Sequence, residues 1–305
     1  MRRVPAWLPA LLGFLTAVGP ASTDMYLPAF PAIEASLNEP PGSAQLSLAT
    51  WFAGLAVGQI TQGTLADRLG RRSPLIASTA LYTLSCVACA LAPNILALSG
   101  FRFVSAIAAA AGMVIPRAVV RDLADGHEAA VLMSRLMLVM GAAPILAPTI
   151  GGAVLVFANW RWIFWILALY GLACFALAWF ALPETLPPER RVHLSFGEQI
   201  GRYAQIMRDR GFVTYTALGG CATFAFFAYL GGSSPVFIDG FGWTPSQFGL
   251  LFGACALGLI IASQINARLV PRFGPYRVTQ VVVWVDLLTT AALAAVAFAG
   301  VHRLV

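Results

Sequence analysis

The sequence has no lysine and little charge of either sign. Only 10% of its 305 residues are charged, against roughly 25% in an ordinary soluble domain, and all 19 residues in its Lys+Arg total are arginine. With 59% hydrophobic residues and a mean hydropathy of +0.79, water is not the solvent for most of the chain. No G-x-x-x-x-G-K-[ST] loop occurs, so there is no P-loop to bind a nucleotide. Cysteine is sparse: Cys86, Cys89, Cys174, Cys221 and Cys255 all lie inside apolar runs, which supports neither a secreted disulfide framework nor a zinc site. Cys86 and Cys89 form a C-x-x-C, but with no second ligand pair they read as two small residues on one helix face. His127 and His193 fall in loops and His302 in the tail, so no metal cluster is expected and no cofactor is implied. A net charge of +6 would suggest nucleic acid in a soluble chain; here the arginines sit in short loops between apolar runs, where they orient a membrane protein.

What the chain does have is long apolar runs. Crossing a hydrocarbon core of about 30 Å takes about 20 apolar residues. That ruler gives nine runs, near 7–29, 45–65, 74–92, 95–117, 131–156, 161–182, 212–232, 245–268 and 277–300. Arg2, Arg3 and the apolar stretch after them mimic a secretory leader, but eight further runs make this the first transmembrane helix. Backbone groups in hydrocarbon must bond within their own segment, so the expected fold class is an all-α membrane protein with nine transmembrane helices. Counted loop by loop, 15 arginines fall on one side and two, Arg161 and Arg303, on the other. The N-terminus is therefore expected in the cytoplasm.

The connection 183–211 is the longest charged one and reads as a cytoplasmic linker between an N-terminal six-helix half (1–182) and a partial second half of three helices (212–305). A weak repeat supports this division: Asp67-Arg68-Leu69-Gly70 is echoed by Pro271-Arg272-Phe273-Gly274, 204 residues later. Two parallel six-helix halves would need about 400 residues. The sequence thus reads as lacking the last three helices of such a pair.

Gly63-Thr-Leu-Ala-Asp67-Arg68-Leu-Gly70-Arg71-Arg72 fits the G-x-x-x-D-R-x-G-R-R pattern of the loop between the second and third helices in the major facilitator superfamily. Four further pieces, in order, resemble the bicyclomycin-resistance (Bcr/CflA) family of drug/proton antiporters within it. They are Thr23-Asp24-Met25-Tyr26-Leu27-Pro28, Arg117-Ala-Val-Val-Arg121-Asp122, Ala143-Pro144-Ile-Leu-Ala147-Pro148-Thr-Ile-Gly151-Gly152 and Leu182-Pro183-Glu184-Thr185-Leu186. The resemblance implies the major facilitator fold, a gating loop built from Gly63, Asp67, Arg68, Gly70 and Arg71, and a pairing of Arg71 with Asp122. It also implies a hinge or seal at Pro144, Pro148, Gly151 and Gly152, although Ala147 replaces the usual glycine; a plain packing kink is the alternative. Pro271 stands where the repeat would carry its acid.

Charges inside apolar runs single themselves out. Asp24 lies 17 residues past Trp7, about 25 Å along a helix, and Arg102 lies seven residues into a helix running the opposite way, at similar depth. Intramembrane charges usually face a partner or an aqueous cavity, so Asp24 and Arg102 are candidates for proton or substrate coupling; alternatively, Asp24 merely ends its helix near Pro28. Asp286, mid-run in the ninth segment, has no evident partner. Tyr26, Phe224 and Phe227 are candidates for an apolar cavity wall, or ordinary packing residues. Gln59 and Gln62 are expected to bond between helices.

Together with the resemblance, these features imply a monomeric secondary transporter of the bacterial inner membrane. It would exchange small drug-like compounds for protons by alternating access, with the proton gradient as its energy source. Two alternatives stay open: a fragment of such a transporter that does not transport, and an exporter of amino acids or short peptides. An enzyme would need more catalytic groups at one depth than Asp24 and Arg102 provide.

Overall fold

Three prolines, Pro9, Pro20 and Pro28, punctuate the first apolar run and Pro31 follows it, and the first span is built around them. In the computed structural model, which describes residues 5, 7–192 and 196–298, this run forms α1 (Leu8–Thr16), α2 (Val18–Asp24), a 3-10 turn at Leu27–Ala29 and α3 (Phe30–Leu37). Pro20 has no N–H for the carbonyl one turn back, which interrupts the ladder. Pro28 and Pro31 fall in first turns, where a missing N–H costs little. Asn38 ends α3 in the left-handed region, at φ 56°.

The other helices are α4 (Ala44–Leu69), α5 (Arg72–Ala90), α6 (Ile95–Leu123), α7 (Gly126–Phe157), α8 (Arg161–Phe180), α9 (Phe196–Ile206), α10 (Arg210–Ser234), α11 (Pro245–Phe273) and α12 (Pro275–Phe298). Among the described residues no strand occurs. Each apolar run is helical, but several helices outrun it. A hydropathy ruler stops at the edge of the hydrocarbon, whereas the backbone ladder continues until something breaks it. For α4 the break is Gly70, at φ 94°; for α6 it is Ala124, in extended conformation.

Among the described residues six helical segments are long and apolar enough to cross a membrane: Arg72–Ala90, Ile95–Leu123, Arg161–Phe180, Arg210–Ile238, Ser246–Val270 and Tyr276–Val296. The first span falls short because prolines divide it, and α4 because Gln45, Gln59 and Gln62 dilute its apolar residues. Two shorter apolar stretches, Val131–Met140 and Leu146–Phe157, lie within α7.

The chain packs as two units, Met1–Cys255 and Ala256–Val305. In the first unit α4 and α6 approach closely, because a Cβ at Gly54 or Gly58 would run into the α6 backbone at Phe103 and Ile107. Such small residues let helices approach in lipid, where no hydrophobic effect drives them together. From the same helix Gln62 Nε2 donates to the Ile107 carbonyl at 3.3 Å, while Gln59 is exposed. Two apolar layers fill the bundle. One gathers Tyr26, Phe30, Trp51, Trp160 and Phe164; the other, at the arginine-rich end, gathers Leu8, Leu12, Ile115, Val119 and Leu182. In the second unit residues 281–296 of α12 are exposed, Asp286 among them.

Candidate functional site

Asp24 is the last residue of α2 and is buried; Arg102, on α6, is only 1% exposed. The broken first span determines what Arg102 can reach. Its Nη1 donates to the Ser22 carbonyl at 2.8 Å, and its guanidinium carbon lies 4.4 Å from the ring centroids of both Tyr26 and Trp51. Aromatic faces attract such a cation, most strongly where water is excluded. Hydroxyl pairs fix the surroundings: Tyr26 with Ser47, and Ser22 with Tyr82. Arg102 Nε and Nη2 are buried without a hydrogen-bond partner. No ion pair joins Arg102 to Asp24. Two guanidinium donors thus stand unpaired, and Asp24 is a buried acid that makes no ion pair with a described residue; such groups can exchange a proton or hold a polar group of a ligand.

The second cluster lies at the arginine-rich end, where the turn between α4 and α5 meets the end of α6. Arg71 Nε and Nη2 donate to the two Asp122 oxygens at 2.8 and 3.3 Å, a two-pronged charge-assisted contact, and Arg71 also pairs with Asp67. Burial pushes the Arg71 pKa down, but the hydrogen bonds and charges of Asp122 and Asp67 outweigh it, and the net shift is upward. Sequence reasoning assigned no role to Glu184 or Thr185. Glu184 accepts from the backbone N–H groups of Arg71 and Arg72 at 2.8 and 3.3 Å, satisfying the start of α5, and Thr185 Oγ1 donates to Asp122 at 3.0 Å. Val192 N donates to the Asp67 carbonyl at 2.9 Å, so residues 184–192 are laced to this turn. Gly70 supplies the positive φ that the turn needs. Arg68 is exposed, and Gly63 packs loosely near Val114.

On α7, which runs unbroken through Pro144 and Pro148, Ala147, Pro148, Gly151 and Gly152 are buried. A Cβ at Gly151 would collide with the Met25 carbonyl, so α7 presses directly on the residue after Asp24. Gly249 of α11 packs against Pro148 in the same way. The proposed aromatic wall is not assembled: Tyr26 is fully buried, whereas Phe224 is 78% exposed. It is Gly231, about two turns further along α10, that packs near the bundle, against Leu48 of α4. The Phe227 side chain lies outside the described residues.

The sequence profile of the Major Facilitator Superfamily matches residues 12–303. An uncharacterized MFS-type transporter, YdgK of Bacillus subtilis, is 40% identical over 260 residues, covering 85% of this chain and 65% of its own length. A bicyclomycin resistance protein homolog of Haemophilus influenzae is 29% identical, over 91% of this chain and 70% of its own. A chloramphenicol resistance protein of Pseudomonas aeruginosa is 30% identical, over 82% and 59%. The chain therefore spans about two thirds of these relatives' lengths. Among solved structures, an inward-facing bacterial homolog of the human lysosomal transporter Spinster superposes with a TM-score of 0.69 at 17% identity, over 90% of this chain and 64% of that one.

Proposed function

Because the chain belongs to the Major Facilitator Superfamily, a family of transporters and not of enzymes, we propose that it acts as a proton-coupled antiporter that exports small drug-like compounds. On this reading it is monomeric and sits in the bacterial inner membrane with its N-terminus in the cytoplasm. The nine helical runs cross the bilayer, and two bundles rock about a midplane site, driven by the proton gradient. The relatives named for resistance to bicyclomycin and chloramphenicol support the drug-like substrate class.

One observation carries the coupling step: Asp24 is buried and makes no ion pair with a described residue, while Arg102 is held by the Ser22 carbonyl and aromatic faces. With Arg102 committed to the Ser22 carbonyl and two aromatic faces, Asp24 is left to a proton or to a cationic group of substrate, one at a time. Bound substrate displaces the proton, and a proton from outside displaces the substrate. Arg102 is the second coupling residue on this reading, with its unpaired Nε and Nη2 available to a polar group of the substrate. Asp122, Asp67 and Arg71 form the contact that closes the cytoplasmic end.

The test is drug-driven proton release from everted vesicles carrying this chain, with and without Asp24→Asn. Asparagine keeps the shape and loses both the titratable proton and the negative charge, so the expected result is no drug-driven proton release. Release at the parent rate from the Asn variant overturns the assignment.

A further inference from the structure

The segment after Val192 folds as α9, and its residues are not distributed at random. Phe196, Ile200, Tyr203 and Met207 recur at i, i+4, i+7 and i+11, while Glu198, Arg202 and Gln205 recur on the opposite side, the pattern of a helix with one apolar and one polar face. Toward the end of the helix Tyr203, Ile206 and Met207 are 44%, 45% and 58% exposed. A short helix of this kind is suited to lying in a membrane interface.

Between α9 and the end of α4 lies an open cavity of about 180 Å³, lined by Arg68 from α4 and by Arg202, Tyr203 and Ile206 from α9. Asp67 also lines it, but its carboxylate is engaged by Arg71. Neither Arg68 nor Arg202 makes an ion pair with a described residue. The cavity is therefore net positive and lies at the end of α4, where Tyr203 and Ile206 line it and remain partly exposed, with Met207 exposed beside them. Arg190, Arg208 and Arg210 add charge to the same connection.

We propose that this cavity binds the phosphate of an anionic phospholipid. Arg68 and Arg202 clasp the phosphate oxygens from two helices, and the Tyr203–Met207 side of α9 rests on the adjoining acyl chains. Guanidinium forks suit phosphate oxygens, and the anionic surface of the bilayer attracts basic segments at this depth. The lipid would thereby pin the connection that carries Glu184 and Thr185 against the α4–α5 turn.

The experiment titrates dioleoylphosphatidylglycerol into the purified chain in a neutral detergent and follows the thermal unfolding midpoint. Parallel arms use dioleoylphosphatidylcholine and inorganic phosphate. A saturable rise is expected with the anionic lipid alone. Losing about fivefold in affinity per arginine, the double variant R68A/R202A should need about 25-fold more lipid to reach half-saturation. R208A/R210A, which removes the same charge outside the cavity, should stay near the parent. If the double variant does not yield helical, monodisperse protein, R202A alone decides, with an expected fivefold shift. Four results overturn the site: unchanged half-saturation in the cavity variants, an equal loss in R208A/R210A, saturation by the zwitterionic lipid at the same concentration, or an equal rise with inorganic phosphate. The readout is binding alone, so the outcome does not depend on whether the chain transports.

Discussion

A guanidinium sealed inside an apolar bundle must be held by something, and at Arg102 the holding groups are a backbone carbonyl and two aromatic faces. Arg71 uses a different solution, carboxylates, and the two acids it engages differ in weight. The Asp122 side chain is 16% exposed and accepts from two guanidinium nitrogens and from Thr185; the Asp67 side chain is 52% exposed and takes one contact. Asp122→Asn should therefore lower unfolding free energy in detergent by about 2 kcal/mol, less than the cost of breaking a fully buried pair. Asp67→Asn should cost about 0.5 kcal/mol, as for a surface pair. Unfolding midpoints of both variants in one detergent check the order, and equal losses would overturn this account. The sign with pH is simple: a pKa raised on folding adds stability at every pH below the unfolded value and loses it only as pH climbs through the folded one. Arg71 thus contributes undiminished across the physiological range. In the sequence Asp24, Arg102 and Asp67 are conspicuous because charge contrasts with an apolar run. Trp51 offers no such contrast, and Glu184 looks like any linker acid, because its contact with Arg71 joins residues 113 positions apart.

Elements were easier to read than their ends. Proline placement explains the division of the first span, and the described residues of the other apolar runs are helical, because hydropathy and backbone satisfaction act on the same residues. Close approach between helices was less legible. Gly151 was noted as part of a motif, yet its neighbour, the Met25 carbonyl, belongs to a segment more than a hundred residues away. Gly151→Ala forces a methyl into that carbonyl and should cost about 2 kcal/mol by overpacking. Gly100 is the internal control. It lies within α6 with nothing near enough to meet a Cβ, so Gly100→Ala should be neutral or stabilise by up to about 1 kcal/mol through helix propensity. Thermal unfolding of the pair separates packing from propensity; a Gly151→Ala variant as stable as Gly100→Ala would mean that α7 and the first span yield without strain.

At the scale of the molecule, charge is sorted along the bundle. Arg71, Arg72 and Arg191 gather with Glu184 and Asp122 at the end where Ala66, Leu75 and Leu182 pack. Arg161 lies at the other end, donating to the Ala92 carbonyl at 2.9 Å and stacking on Trp160. Cations are retained on the side from which a chain inserts, because moving them through hydrocarbon costs several kcal/mol each, so the crowded end should face the cytoplasm. Cysteine accessibility tests this directly in a background with the five native cysteines replaced by alanine. A cysteine at Arg190, exposed beside the crowded end, should react with a membrane-impermeant maleimide only after cells are opened. One at Glu39, partly exposed just past α3 on the far side, should react in intact cells. The reverse pattern would invert the orientation, and with it the face from which Asp24 takes its proton; labelling of both sites in intact cells would mean that the bundle does not insert with a single orientation.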